Sequence, residues 1–308
     1  MSEPNQWVIE KNKGWKVWWQ LMRPHTLTAS FIPVILGTAL ALPESGFEIG
    51  LFIAMMVASL LIQAATNMFN EYFDFKRGLD TEESIGIGGT IVRDGVSPKT
   101  VLYLGYSFCL VAILIGVYIC MQSSWWLALI GLVCMMTGYL YTGGPYPIAY
   151  TPFGELISGI FMGSFLVLIS FYIQTGQVTT SSILISIPSA LLVGGIMLAN
   201  NIRDLESDCD KGRQTLAILL GRRQAINLLS GLFVFSYIWI VALIITSAES
   251  IWMLLVLVSV PKAFQAAKSF KQQTQKLQMM LAMKSTAQTN TMFGGLLSLG
   301  LIIDYIIR

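Results

Sequence analysis

The stretch ILISIPSALLVGGIMLANNIRDLESDCDKGRQT, Ile183 to Thr215, runs twenty residues without a charge and then places four acidic and three basic residues within eleven positions. A helix needs roughly 20 apolar residues to cross a bilayer core of about 30 Å. The segment therefore reads as a membrane span that ends in a charged mouth. The same design recurs upstream, where an apolar run over 50–69 leads into NMFNEYFDFKRGLDT, Asn67 to Thr81. The two stretches align without a gap at an offset of 134, pairing Asn67 with Asn201, Asp74 with Asp208, Gly78 with Gly212 and Thr81 with Thr215. Asn70 and Asp204, and Arg77 and Lys211, are chemically similar pairs. Carrying one span onto another of the same orientation is the mark of a parallel internal repeat, with a site between its halves.

Outward from this pair, the chain of 308 residues is 55% hydrophobic and 12% charged, with mean hydropathy +0.67. Soluble domains carry about 25% charged residues, so an ordinary cytosolic enzyme is excluded. Apolar segments fall at about 25–42, 50–69, 101–121, 125–141, 156–174, 183–201, 225–246, 250–267 and 290–307, which predicts an all-α bundle of nine transmembrane helices. Positive charge collects in cytoplasmic loops. With the N-terminus inside, eighteen of the 19 Lys and Arg fall on the inner side, and only Arg308 lies outside with the C-terminus. The N-terminus lacks the pattern of a cleaved secretory signal and reads as a cytoplasmic tail. A net charge of +2 gives no field for nucleic acid, and four dispersed cysteines with one histidine, His25, make no zinc site.

Ten of 17 carboxylates sit in the two inner loops. Like charges so gathered need compensating cations, either a bound metal or the Lys and Arg of the same loops. Asn67, Asn70, Glu71 and Asp74 lie at i, i+3, i+4 and i+7, on one helix face, and Asn201, Asp204 and Asp208 repeat the spacing. Two helices presenting Asn70/Asp74 and Asp204/Asp208 can converge hard oxygen ligands on Mg²⁺, which commonly completes its octahedron with water and phosphate oxygens. The cations beside them, Lys76, Arg77, Arg203, Lys211 and Arg213, suit the outer oxygens of a diphosphate.

This arrangement resembles the UbiA superfamily of intramembrane aromatic prenyltransferases, through NxxxD (Asn70, Asp74) and DxxxD (Asp204, Asp208). The likeness extends to RPHTL (Arg23 to Leu27), SFIPVILG (Ser30 to Gly37), GGTIVRDG (Gly88 to Gly95), YTGGPYPIAYTPFGE (Tyr141 to Glu155) and NNIRDLESDCDKGRQTLA (Asn200 to Ala217). The six-residue step from Asp74 to Asp80, and the absence of a lysine in the YTGGPYPIAYTPFGE loop, are similar to the branch that prenylates 1,4-dihydroxy-2-naphthoate in menaquinone synthesis. One departure is Glu71, where the superfamily usually has aspartate.

The resemblance implies one membrane-embedded domain over 1–308, of two four-helix pseudo-repeats plus a ninth helix, with cytoplasmic cap loops at 70–100 and 202–223, in the cell membrane. It implies Mg²⁺ held by Asn70, Asp74, Asp204 and Asp208, with Asp80 as a further candidate, and a polyprenyl diphosphate met by Lys76, Arg77, Arg203, Lys211 and Arg23. Transfer to the naphthoate would release diphosphate and CO2; 4-hydroxybenzoate is the alternative acceptor. Asn67, Glu71, Arg93, Tyr139, Tyr141 and Asn201 are candidates for the acceptor or cation pocket, with Tyr72 and Phe73 behind them. Each has a plainer role open to it: Arg93 pairing with Asp94, Asn67 bonding backbone, the aromatics packing. Gly159 and Gly163 read as a helix-packing pair, His25 as a capping or interfacial residue, and Lys262 to Lys284 as an interfacial helix on anionic lipid. A cation-coupled transporter is disfavoured, because its carboxylates would lie near mid-membrane rather than at helix ends.

Overall fold

The computed structural model describes residues 14–24, 26–80, 89–247 and 249–307. The N-terminal tail, His25, the acidic stretch 81–88 and Arg308 lie outside the described residues. Among those described there is no strand. A bilayer core offers no partner for backbone N–H and C=O, so a chain this apolar satisfies them within helices. After the short α1 (Trp15–Leu21) come α2 (Thr28–Ser45) and α3 (Ile49–Lys76), then the five-residue α4 (Thr90–Asp94), α5 (Pro98–Gln122) and α6 (Trp126–Thr142). A passage over Gly154–Thr175 follows, built from α7 (Gly154–Ser158), a π-helical turn over Gly159–Phe165 and α8 (Leu166–Thr175). The chain continues through α9 (Thr180–Asp210), the short α10 (Leu216–Leu220) and α11 (Arg222–Ser247). A 3₁₀ stretch, Ile251–Ser259, then runs into α12 (Val260–Gln272) before the final α13 (Lys276–Ile307).

Among the described residues, eight passages are long and apolar enough to cross a membrane, and α6, with 17 residues, is a shorter apolar helix at the place of the remaining expected span. The lysine-rich segment from Lys262 to Lys284 is not one helix. It breaks where Gln273 turns extended (φ −108°, ψ 137°), leaving α12 on one side and the first turns of α13 on the other.

The centre belongs to α2 and α9, while α5 keeps most of its surface exposed. One core cluster joins Leu36 and Phe171 to Leu192, Ile202, Leu229, Phe270 and Phe293. Small residues let backbones meet without a hydrophobic driving force between helices. A Cβ on Gly159 would come within 2.5 Å of the Ala190 carbonyl oxygen, and one on Gly194 within 2.9 Å of the Glu155 carbonyl oxygen. The Gly159/Gly163 pair thus packs the π-helical turn against α9 of the same chain.

Candidate functional site

The repeat seen in the sequence has a matching backbone. α3 and α9 each end in a Schellman turn, in which the glycine after the cap adopts φ > 0 and two reversed hydrogen bonds close the last turn. Gly78 (φ +69°) and Gly212 (φ +73°) hold that position. Leu79 N–H donates to the Asp74 carbonyl at 2.9 Å, and Arg213 N–H to the Asp208 carbonyl at 3.0 Å. The matched glycines are therefore the residues that turn the chain back beside its own acidic helix end.

That reversal aims Arg213 at both repeats. Its guanidinium lies 3.2 Å from Asp74 Oδ1 and 3.3 Å from Asp208 Oδ1, and stacks 4.7 Å from the Tyr150 ring centre. Burial works to discharge the guanidinium, but the Asp208 and Asp74 carboxylates prevail and hold its pKa above the ordinary arginine value. Lys211 Nζ crosses the other way, donating to the Leu79 carbonyl. Asp80, just beyond the first turn, is pushed up to about 6 by burial and by the Asp74 and Glu71 carboxylates.

Other expected residues are placed in walls. Asn70 Oδ1 accepts a 2.6 Å bond from the Thr142 hydroxyl, keeping a second lone pair. Asp204 is gripped by both arms of Arg203 and stands 3.6 Å from Lys276 Nζ. Arg77 donates to the Thr142 and Gly144 carbonyls, satisfying the C-terminal end of α6, and lies over the Phe73 and Tyr150 rings. Asn67 donates to Met22 O and Thr26 Oγ1, and Asn201 to Glu155 Oε1 at 2.8 Å. Arg93 pairs with Asp94, its local partner, at 2.9 Å. Tyr139 packs edge-on to Phe69 and Phe73, and Lys76 is exposed.

Glu71 explains its own departure from aspartate. Buried to 1% exposure, its carboxylate reaches the N–H groups of Gly89 (2.9 Å) and Ile91 (3.1 Å), capping α4, and Arg23 stands 3.4 Å away. Arg23 holds φ +51°, an uncommon conformation for a side-chain-bearing residue.

Below this polar end lies a cavity of about 170 Å³, lined by Arg23, Asn67, Asn70, Tyr141 and Asn200 at one end and by Phe161 and Leu166 farther in. It shares Ser59, Ile62, Cys134 and Leu166 with a second cavity of about 330 Å³, walled almost wholly by apolar side chains of α3, α5, α6 and α8. From Asn70 to Met55 the lining follows one face of α3. At 1.5 Å per residue that is a path of roughly 22 Å.

The donor set is hard oxygen, which suits Mg²⁺. Among the described residues no three His, Cys, Asp or Glu cluster closely enough to hold a metal alone. Asp74 and Asp208 share one guanidinium, however, and Mg²⁺ is commonly bound through one or two carboxylates with water and substrate phosphates completing the shell. The residues fit such an ion. Thr142, Tyr150, Glu155 and Asn200 were not singled out from the sequence. The first three stand in the quoted YTGGPYPIAYTPFGE stretch and the fourth beside Asn201, but only the folded chain shows what they touch.

Comparison with known proteins gives a consistent result. Residues 30–287 match the UbiA prenyltransferase family. The chain is 61% identical over 300 residues to 1,4-dihydroxy-2-naphthoate octaprenyltransferase of Bacillus subtilis, covering 97% of this chain and 96% of that protein. It is 34% identical over 257 residues to UbiA prenyltransferase domain-containing protein 1 of Xenopus tropicalis, covering 82% and 73%. Among solved structures, a UbiA homolog from Archaeoglobus fulgidus bound to GPP and Mg²⁺ superposes with TM-score 0.67 at 15% identity, over 93% of this chain and 99% of that one.

Proposed function

The chain belongs to the UbiA prenyltransferase family, an integral membrane family, and from that premise we propose that it transfers a polyprenyl group from its diphosphate to 1,4-dihydroxy-2-naphthoate. The observation that carries the reading is Arg213 joining Asp74 and Asp208. It brings the two acidic helix ends together at the head of a path that turns from polar to apolar. A prenyl diphosphate has the same polarity profile.

In this reading the spans number nine, with the charged mouth on the cytoplasmic side and the C-terminus on the other. Asn70, Asp74 and Asp208, with Asp204 one turn away and Asp80 beyond, would hold Mg²⁺. Bound there, the ion acts as a Lewis acid that weakens the allylic C–O bond. Arg23, Lys211 and Arg213 face the diphosphate and take up charge as it leaves. Arg77 and Arg203 keep the walls in place, through the α6 carbonyls and Asp204. The apolar cavities hold the prenyl chain out of water at little cost. Of the candidate aromatics, Tyr141 lines the cavity with Asn70 and would offer its ring where an allylic cation needs stabilising, while Phe73 and Tyr139 pack edge-on to each other. Arg23, Asn67, Tyr141 and Asn200 bound the space for the aromatic acceptor, whose ring carbon forms the new bond as its carboxylate leaves as CO2.

Binding tests the site apart from turnover. Titration calorimetry of geranyl diphosphate is expected to show Mg²⁺-dependent binding, lost in Asp74→Asn and Asp208→Asn proteins that elute and melt as folded. Equal binding with Mg²⁺ and with EDTA, or in both variants, would overturn the assignment.

A further inference from the structure

The seven-residue α1 carries three tryptophans on one face. Trp15, Trp18 and Trp19, at i, i+3 and i+4, are 68%, 42% and 45% exposed. Val17 and Leu21 point the opposite way and are buried. Leu21 joins Met68 of α3, Ile91 of α4 and Val101 of α5 in one apolar cluster. The helix is therefore fastened to the bundle along one edge and offers indole rings and the exposed Lys16 along the other. Indoles are favoured at the level of lipid headgroups, and a lysine among them favours anionic phosphate. The chain leaves α1 through Arg23, which contacts Glu71 at the polar end of α3, so α1 lies beside the mouth that holds Asp74 and Asp208.

The same helix reaches α4. Gln20 Oε1, next to the exposed Trp19, accepts a 2.8 Å hydrogen bond from Arg93, whose other N–H groups grip Asp94 at 3.0 and 2.9 Å. α4 is thus held from two sides, by Glu71 of α3 at its N-terminus and by α1 along its length.

We propose that α1 docks on an anionic phospholipid surface, and that this docking, passed on through Gln20–Arg93 and Leu21–Ile91, holds α4 against α3 beside the site. Lipid seating and order of residues 89–95 are then coupled.

The test uses the full chain in nanodiscs of phosphatidylcholine and phosphatidylglycerol, with bromine labels near the headgroup on the acyl chains. Two readouts are taken: tryptophan quenching, and hydrogen exchange of residues 89–95. The fluorescence difference between wild type and W15S/W18S/W19S is expected to be quenched by shallow bromine, and exchange at 89–95 to rise at least tenfold in the triple variant. Gln20→Ala is expected to raise exchange at 89–95 while leaving quenching as in wild type. An unquenched difference signal, or unchanged exchange in both variants, would overturn the proposal.

Discussion

Replacing Arg213 by methionine removes the guanidinium that bridges Asp74 and Asp208 at the acidic ends of α3 and α9. Two ion pairs go, at 3.2 Å to Asp74 and 3.3 Å to Asp208, and the two carboxylates are left without their shared partner. Removing one partner of a buried ion pair costs about 3–5 kcal/mol. The three side chains retain 15%, 19% and 7% exposure, so solvent screening takes the pair toward the low end, about 3 kcal/mol together. Methionine keeps apolar contact with the Tyr150 ring, so the lost charge dominates. For a chain of this size a loss of 3 kcal/mol lowers the melting midpoint by roughly 5 °C or more. In detergent with EDTA, Arg213→Met should melt that much below wild type, and millimolar Mg²⁺ should raise the variant more than the wild type, because a divalent ion neutralises the same carboxylates. Arg213→Lys should fall between, since a point charge cannot span both acids as a planar fork does. A variant that melts like wild type in EDTA, or an equal Mg²⁺ effect on both proteins, would refute this account of the site.

Three further outcomes follow from the same geometry. Glu71→Ala strips the acceptor from the Gly89 and Ile91 N–H groups, each worth about 1–3 kcal/mol when left unpaired, so hydrogen exchange at 89–95 should rise by roughly 30-fold or more; a change under threefold would refute the capping role. Gly131 and Gly116 line the apolar cavity with open space where a Cβ would stand, so Gly131→Leu should depress turnover of long prenyl donors at least tenfold while sparing dimethylallyl diphosphate; equal loss for both donors would contradict the assigned path. Asp80, with its pKa at about 6, is anionic above that pH and neutral below it. The Mg²⁺ concentration for half-maximal activity should therefore climb as pH falls through 6, and the climb should flatten in Asp80→Asn; an identical profile in the variant would remove Asp80 from the site.

Much of the fold could be read directly from periodicity. Runs of about 20 apolar residues mark each passage, and the matched glycines of the repeat proved to be the Schellman residues that end α3 and α9. Gly159 and Gly163 were legible as packing residues, because small side chains spaced by four leave room for a neighbouring backbone. Partners of charged side chains were less legible. Several cations follow each acidic pair, and spacing alone does not say that Arg213 bridges both repeats while Arg77 reaches α6 and Arg203 folds onto Asp204. Those choices depend on where distant helices meet. Glu71 is the clearest case, since its extra methylene has meaning only once Gly89 and Ile91 lie within reach.

The central claim is tested most directly by product formation. Purified protein in lipid would be given radiolabelled octaprenyl diphosphate with 1,4-dihydroxy-2-naphthoate or 4-hydroxybenzoate, in Mg²⁺ or EDTA, and prenylated product and released CO2 would be scored. The account predicts product and CO2 in equal amounts, with the naphthoate, only when Mg²⁺ is present. Product with 4-hydroxybenzoate alone, product undiminished by EDTA, or no product from either acceptor would contradict it.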